Sequence, residues 1–213
     1  MHNQTNQAYQ AIRDGILEGR YKPSASLTEL SLAQELGVSR NTIKKALLKL
    51  ESENLVLIED NKRAIVRSFS VEEVLQYLRV REVLEGLVIR EALPLIGDAE
   101  VEEMASILAG METLLGAGDL KGYSEGNWRF HAVIYRTCPN RPAVDLVLSI
   151  KNQLKRYNVK TIFIQGRGAS SYGKHHAILE AVRLRDVDEA ERCIRRHIAS
   201  MREVITRYYE LLF

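Results

Sequence analysis

Two short helices hinged on one glycine constrain this chain more than any other feature. Thr28 precedes the apolar positions Leu30, Leu32, Ala33 and Leu36, and Ser39 precedes Ile43, Ala46, Leu47 and Leu50. Both sets recur at helical spacing. Thr and Ser carry the side-chain oxygen that caps a helix N-terminus, and Gly37 suits a left-handed end to the first helix. Helix, tight glycine turn and helix form a helix-turn-helix. An amphipathic helix over about residues 5–19, with Tyr9, Ile12, Ile16 and Leu17 on one face, precedes it and ends at Gly19 and Pro23. Behind it, Leu55-Val56-Leu57-Ile58 and Ala64-Ile65-Val66 flank the polar turn Glu59-Asp60-Asn61-Lys62-Arg63. That pattern predicts a β-hairpin, and a hairpin at this place is the wing of a winged helix.

From Val71 the periodicity is helical throughout. It predicts helices over Val71–Ile96, from a cap at Asp98 to about Gly116, over Asp119–Thr137, and from Pro142 to about Phe163. Two more follow over about 174–185 and 187–212, with Gln165 to Gly173 read as a Gly/Ser loop. The expected fold is mainly α: a winged helix-turn-helix over residues 1–68 and an all-α helical bundle over 69–213.

Charge distribution says more than the net charge of +2. Residues 1–67 carry ten Lys/Arg against eight Asp/Glu, and the remainder is balanced. Ser39 to Leu50 contains Arg40, Lys44, Lys45 and Lys49 and no acid, a stripe suited to a phosphate backbone. A recognition helix aims its N-terminal residues at base edges. Arg40 suits guanine and Asn41 adenine. Ser39 and Thr42 can donate to phosphates at the helix N-terminus, and the lysines can neutralise phosphates. The expected partner is double-stranded DNA.

No apolar run approaches the ~20 residues of a membrane span, and the polar stretch Met1–Gln10 is unlike a secretory signal. The expected address is the cytoplasm, without a membrane partner. Cys138 and Cys193 form no metal-type pair and read as ordinary thiols. His131, His175 and His197 fall on three predicted helices, and histidines from three helices can converge on one metal inside a bundle. Asn127, four residues before His131, shares its face. Residue types alone leave structural histidines equally open.

Between Ile16 and Val56, the segments Ile16-Leu17-Glu18-Gly19-Arg20-Tyr21-Lys22-Pro23, Leu27-Thr28-Glu29, Leu36-Gly37-Val38-Ser39-Arg40, Leu50-Glu51 and Asn54-Leu55-Val56 resemble the GntR family of bacterial repressors. Arg81, Leu84, Glu85 and Arg90-Glu91-Ala92, then Phe130-His131 and Asn140, then His175, Ile178 and His197 resemble the FCD ligand-binding domain of its FadR subfamily. The resemblance implies a homodimeric regulator, a repressor by the family's usual logic, on a pseudo-palindromic operator. At the wing, Arg63 stands where the family has glycine, and both it and the basic Lys62 beside it join the DNA-contacting set. It also implies a divalent metal, zinc first and nickel next, held by Asn127, His131, His175 and His197, with Asn127 where the family commonly has Asp. Such a site leaves the ion's charge uncompensated and attracts a small carboxylate effector. The resemblance turns Arg81 toward that cavity, where it meets either the carboxylate or Glu85 four residues on. A metal-free effector pocket and a metal-dependent hydrolase are the alternatives, the latter without a recognisable base motif.

Overall fold

A computed structural model describes residues 2–59 and 63–212, so Lys62 lies outside the described residues. The chain divides into two compact units, one ending at Ser70 and one starting at Val71.

The first unit runs α1 (His2–Leu17), β1 (Ser26–Thr28), α2 (Glu29–Leu36), α3 (Arg40–Ser52), β2 (Val56–Glu59) and β3 (Arg63–Val66). Thr28 caps α2 by accepting from the Ser31 N–H at 3.1 Å, and Ser39 caps α3 by accepting from the Thr42 N–H at 3.1 Å. Gly37 ends α2 at φ 64°, a left-handed value that admits glycine without Cβ strain. Ile12, Leu32, Ile43, Leu47, Leu50 and Val66 meet in the core. The sheet is one strand larger than the hairpin read from sequence, with antiparallel order β1-β3-β2. Leu27 and Ile58 both pair with Ala64, from opposite sides. Strand β1 has three residues and runs directly into α2, too short for an alternating pattern to register.

The second unit contains α4 (Val71–Ala92), α5 (Asp98–Gly116), α6 (Leu120–Thr137), α7 (Arg141–Thr161), α8 (Arg167–Arg183) and α9 (Val187–Leu212). Helix α4 packs on α6, α7 and α9; α5 packs on α6 and α8; and α9 also packs on α7 and α8. Val88, Ile89, Met104, Phe130, Ile134, Val147, Ile178 and Ile194 fill the space between them.

Three boundaries correct the sequence reading. The long first helix stops at Ala92 and gives way to a 3-10 turn over Leu93–Leu95, because Pro94 has no N–H to continue an α-helix. Asp98 is the first residue of α5 rather than its cap; Glu100 instead accepts from the Gly97 N–H at 2.9 Å. The expected Gln165–Gly173 loop is mostly helix, since α8 starts at Arg167. Packing overrides the weak helical propensity of this Gly/Ser stretch. A Cβ on Gly168 would lie 2.5 Å from Leu115 Cδ1, so any larger residue there would require the Leu115 side chain to move aside. Arg167 and Ser171 are buried on the same helix. His175 therefore sits in the third turn of α8, not at its start.

Candidate functional site

Helix α6 presents Tyr123, Asn127, His131 and Tyr135 at four-residue steps, hence along one face. Helix α8 does the same with Arg167, Ser171 and His175. These faces meet: the Tyr123 hydroxyl lies 3.4 Å from the Gly168 carbonyl, and His175 Nε2 lies 2.6 Å from Asn127 Oδ1. His197 comes in from α9. One nitrogen from each of His131, His175 and His197 lies within 4.8 Å of the others, and all three side chains are buried. Ring centroids are 5.3 Å apart for His131–His175 and for His131–His197, and 4.4 Å for His175–His197. His176 faces outward.

Tautomers follow from the surrounding acceptors. The Ser171 carbonyl, 2.8 Å from His175 Nδ1, can only accept, so Nδ1 carries the proton and Nε2 offers its lone pair. That lone pair faces Asn127 Oδ1, another acceptor. The two are compatible if the amide turns its NH2 inward, and a cation shared by both would require them to move apart. Glu85 Oε2 lies 3.4 Å from His131 Nδ1 and favours the same arrangement there. His131 Nε2 and His197 Nδ1 are buried without a hydrogen-bond partner among the described residues. Orphaned imidazole nitrogens around a shared centre, with carboxylate and carbonyl acceptors behind them, suit a zinc-type ion. Asn127, His131, His175 and His197 fit such a metal in number and donor type.

Burial keeps these rings neutral, as metal ligation requires. It pushes His131 down to about 4, with Lys151 adding to the effect and Glu85 opposing it. His175 is pushed down to about 3 by burial and then by His131. His197 lies well below the usual histidine value through burial and then His175. In the metal-free protein the unfolded chain then takes up protons below about pH 6.5 that the folded chain refuses. Stability is complete above that pH and falls as pH drops toward about 4 and 3, where the folded rings titrate. The expected slope is about 1.4 kcal/mol per pH unit for each histidine. Hydrogen exchange of α6 and α8 peptides at falling pH measures it, and protection that stays flat from neutral pH to pH ~5 would contradict neutral rings.

Sequence left Arg81 between two roles, and the structure gives it to Glu85. Arg81 Nε donates to Glu85 Oε1 at 2.5 Å with both side chains buried. Burial alone would raise the Glu85 carboxyl, but Arg81 and then His131 hold it well below the usual carboxylate range. Lys151 completes the cluster, donating to the Tyr135 hydroxyl at 3.1 Å. Tyr135, Lys151 and Arg167 are the polar residues that sequence reasoning missed around this centre. Lys151 stands in an otherwise apolar helical stripe between Val147 and Leu154, and a polar residue in such a stripe was the available signal.

In the first unit, Arg40, Asn41, Lys44 and Lys45 are exposed on α3. Arg40 reaches Glu29 at 3.5 Å, and the Ser39 and Thr42 hydroxyls lie 2.9 Å apart. Lys49 Nζ sits 3.7 Å from the Tyr9 ring centroid and so also ties α3 to α1. On the wing Arg63 pairs with Glu59 at 2.7 Å. No helix among the described residues is long and apolar enough to cross a membrane.

Comparison with known proteins agrees with both halves. Residues 4–66 match the family described as bacterial regulatory proteins, gntR family, and residues 76–200 match the FCD domain. The HTH-type transcriptional repressor RspR of Escherichia coli K12 is 22% identical over 93% of this chain and 87% of its own length. An HTH-type transcriptional regulator of Agrobacterium vitis, from the TAR-I ttuE-ttuC' intergenic region, is 26% identical over 60% of this chain and 76% of its own. Among solved structures, E. coli McbR/YncC superposes with a TM-score of 0.81 at 18% identity, covering 97% of this chain and 98% of that one. A GntR transcriptional regulator from Rhodococcus sp. RHA1 gives 0.76 at 21% identity, with 97% and 99% covered. These relatives are regulators rather than enzymes, and this chain is a DNA-binding transcriptional regulator of the GntR family, its helix-turn-helix head followed by an FCD domain.

Proposed function

We propose that a small organic acid controls operator affinity by binding at a divalent metal held by Asn127, His131, His175 and His197. The buried, partnerless nitrogens of His131 and His197 carry this reading. An ion there contributes positive charge that neutral imidazoles and an amide leave uncompensated, and so attracts an anion. Zinc is the leading ion, with nickel next. The protein acts in the cytoplasm as a homodimer, which gives two recognition helices for two half-sites. Val80, Val83 and Leu87 support a dimer through the bundle, because they form an exposed apolar ridge on α4. Acid binding shifts the equilibrium between two arrangements of the heads.

Operator gel shifts with zinc-loaded and chelator-treated protein test the coupling. Citrate is expected to change operator affinity by roughly 5–150-fold in the zinc-loaded protein, and equal responses with and without zinc would overturn the metal-dependent reading. In the same assay Arg40→Ala is expected to lose about 1–3 kcal/mol of sequence discrimination. Lys44→Ala should weaken all DNA alike and flatten the salt dependence. Normal binding by both variants would remove α3 as the reading helix.

A further inference from the structure

Among the described residues, Arg167 is a buried cation with no acid to answer it. The side chain is 5% exposed, and Nε and Nη1 are buried without a hydrogen-bond partner among the described residues. Burial lowers its pKa, and the one group that acts to raise it is the Tyr123 phenol. Every cation near the histidines other than this one has company: Arg81 has Glu85, and Lys151 has the Tyr135 hydroxyl. Arg167 is also the first residue of α8, a helix whose first turn has no side-chain cap. Positive charge is disfavoured at a helix N-terminus. Desolvation, missing partners and an adverse helix dipole together make this position expensive for folding alone.

Its neighbours make it a subsite. Arg167, Ser171 and His175 follow one another at four-residue steps down the buried face of α8. The Tyr123 hydroxyl faces this turn from α6 and interacts with the Ser171 side chain. The charge of Arg167 reaches both His175 and His197, disfavouring their protonation. A guanidinium whose Nε and Nη1 have no partner among the described residues, flanked by hydroxyl groups, suits an anion such as a carboxylate through charge-assisted hydrogen bonds.

We infer that Arg167, rather than Arg81, receives the carboxylate of the acid effector, with Ser171 and Tyr123 completing an anion subsite beside the histidines. The inference rests on the acid-effector reading above and names the residue that recognises the acid. Arg81 then has a different role, which is to hold Glu85, and through it His131, in place.

The experiment is a thermal-shift titration of the full-length protein, with and without zinc, using formate, acetate and citrate as probes. Wild type, Arg167→Met and Arg81→Met are compared, and zinc content is read alongside so that loss of ion and loss of anion are told apart. Without anion, Arg167→Met is expected to melt no lower than wild type, since it removes an unpaired buried charge. With anion at tens of millimolar, wild type is expected to rise by about 3–6 °C and Arg167→Met by less than about 1 °C. Undiminished anion stabilisation in Arg167→Met overturns the subsite while leaving the acid-effector reading intact. A wild type that ignores all three probes overturns both. A fall in the anion-free melting temperature of Arg167→Met makes the guanidinium structural and also overturns the subsite.

Discussion

Purified without a histidine tag, the protein is expected to contain one divalent metal ion per chain, and His197→Ala to retain less than about a tenth of it. His175→Ala should behave the same way, while His176→Ala should match wild type, because His176 points outward. The adjacent pair is an internal control: the two histidines share sequence context and differ in the face of α8 they occupy. Adding zinc at about 100 times its dissociation constant stabilises the native state by about 2.7 kcal/mol, since the unfolded chain lacks the assembled site. That should raise the bundle's melting temperature by several degrees in wild type and His176→Ala and leave His197→Ala unmoved. Elemental analysis with a melting curve reads both effects. A wild type without metal that gains none on incubation with zinc removes the site and leaves a metal-free pocket of the same domain.

The second large effect concerns Glu85. Glu85→Ala leaves Arg81 and Lys151 in the interior with no carboxylate between them, and breaking a buried pair by removing one partner costs about 3–5 kcal/mol. Arg81→Met strands Glu85 instead and should cost a similar amount. Arg81→Met combined with Glu85→Ala removes both charges and should recover most of the loss, giving a strongly non-additive cycle. Chemical denaturation followed through the bundle's helices measures all three. Additive losses would mean that the 2.5 Å contact does not couple the two side chains.

Sequence reasoning recovered the head almost element by element, because Thr28, Gly37 and Ser39 act locally: each sets a cap or a turn through its own backbone. The histidines were legible because helical spacing fixes which face a residue occupies, and the family resemblance, through Ile178, picks His175 over the adjacent His176. What stayed hidden depends on distant partners. Strand β1 exists because Ala64 offers it a partner, and α8 starts early because its first turns are packed into the bundle, where Arg167, Gly168 and Ser171 are buried. The same holds for charge. Arg81 and Glu85 could be paired by their spacing, and Lys151 is marked only by its apolar stripe, whereas nothing in the Gly/Ser stretch around Arg167 announces that this cation turns inward.

The placement of His175 has a kinetic consequence. In a loop, that histidine could swing aside and an ion could come and go with the loop's own motion. In the third turn of α8, its Nδ1–H is fastened to the Ser171 carbonyl one turn earlier, and α9 covers it through His197. Release of an ion then waits for the helices to part, a rare event compared with loop motion. An ion bound there would be long-resident and indifferent to brief swings in the free metal pool.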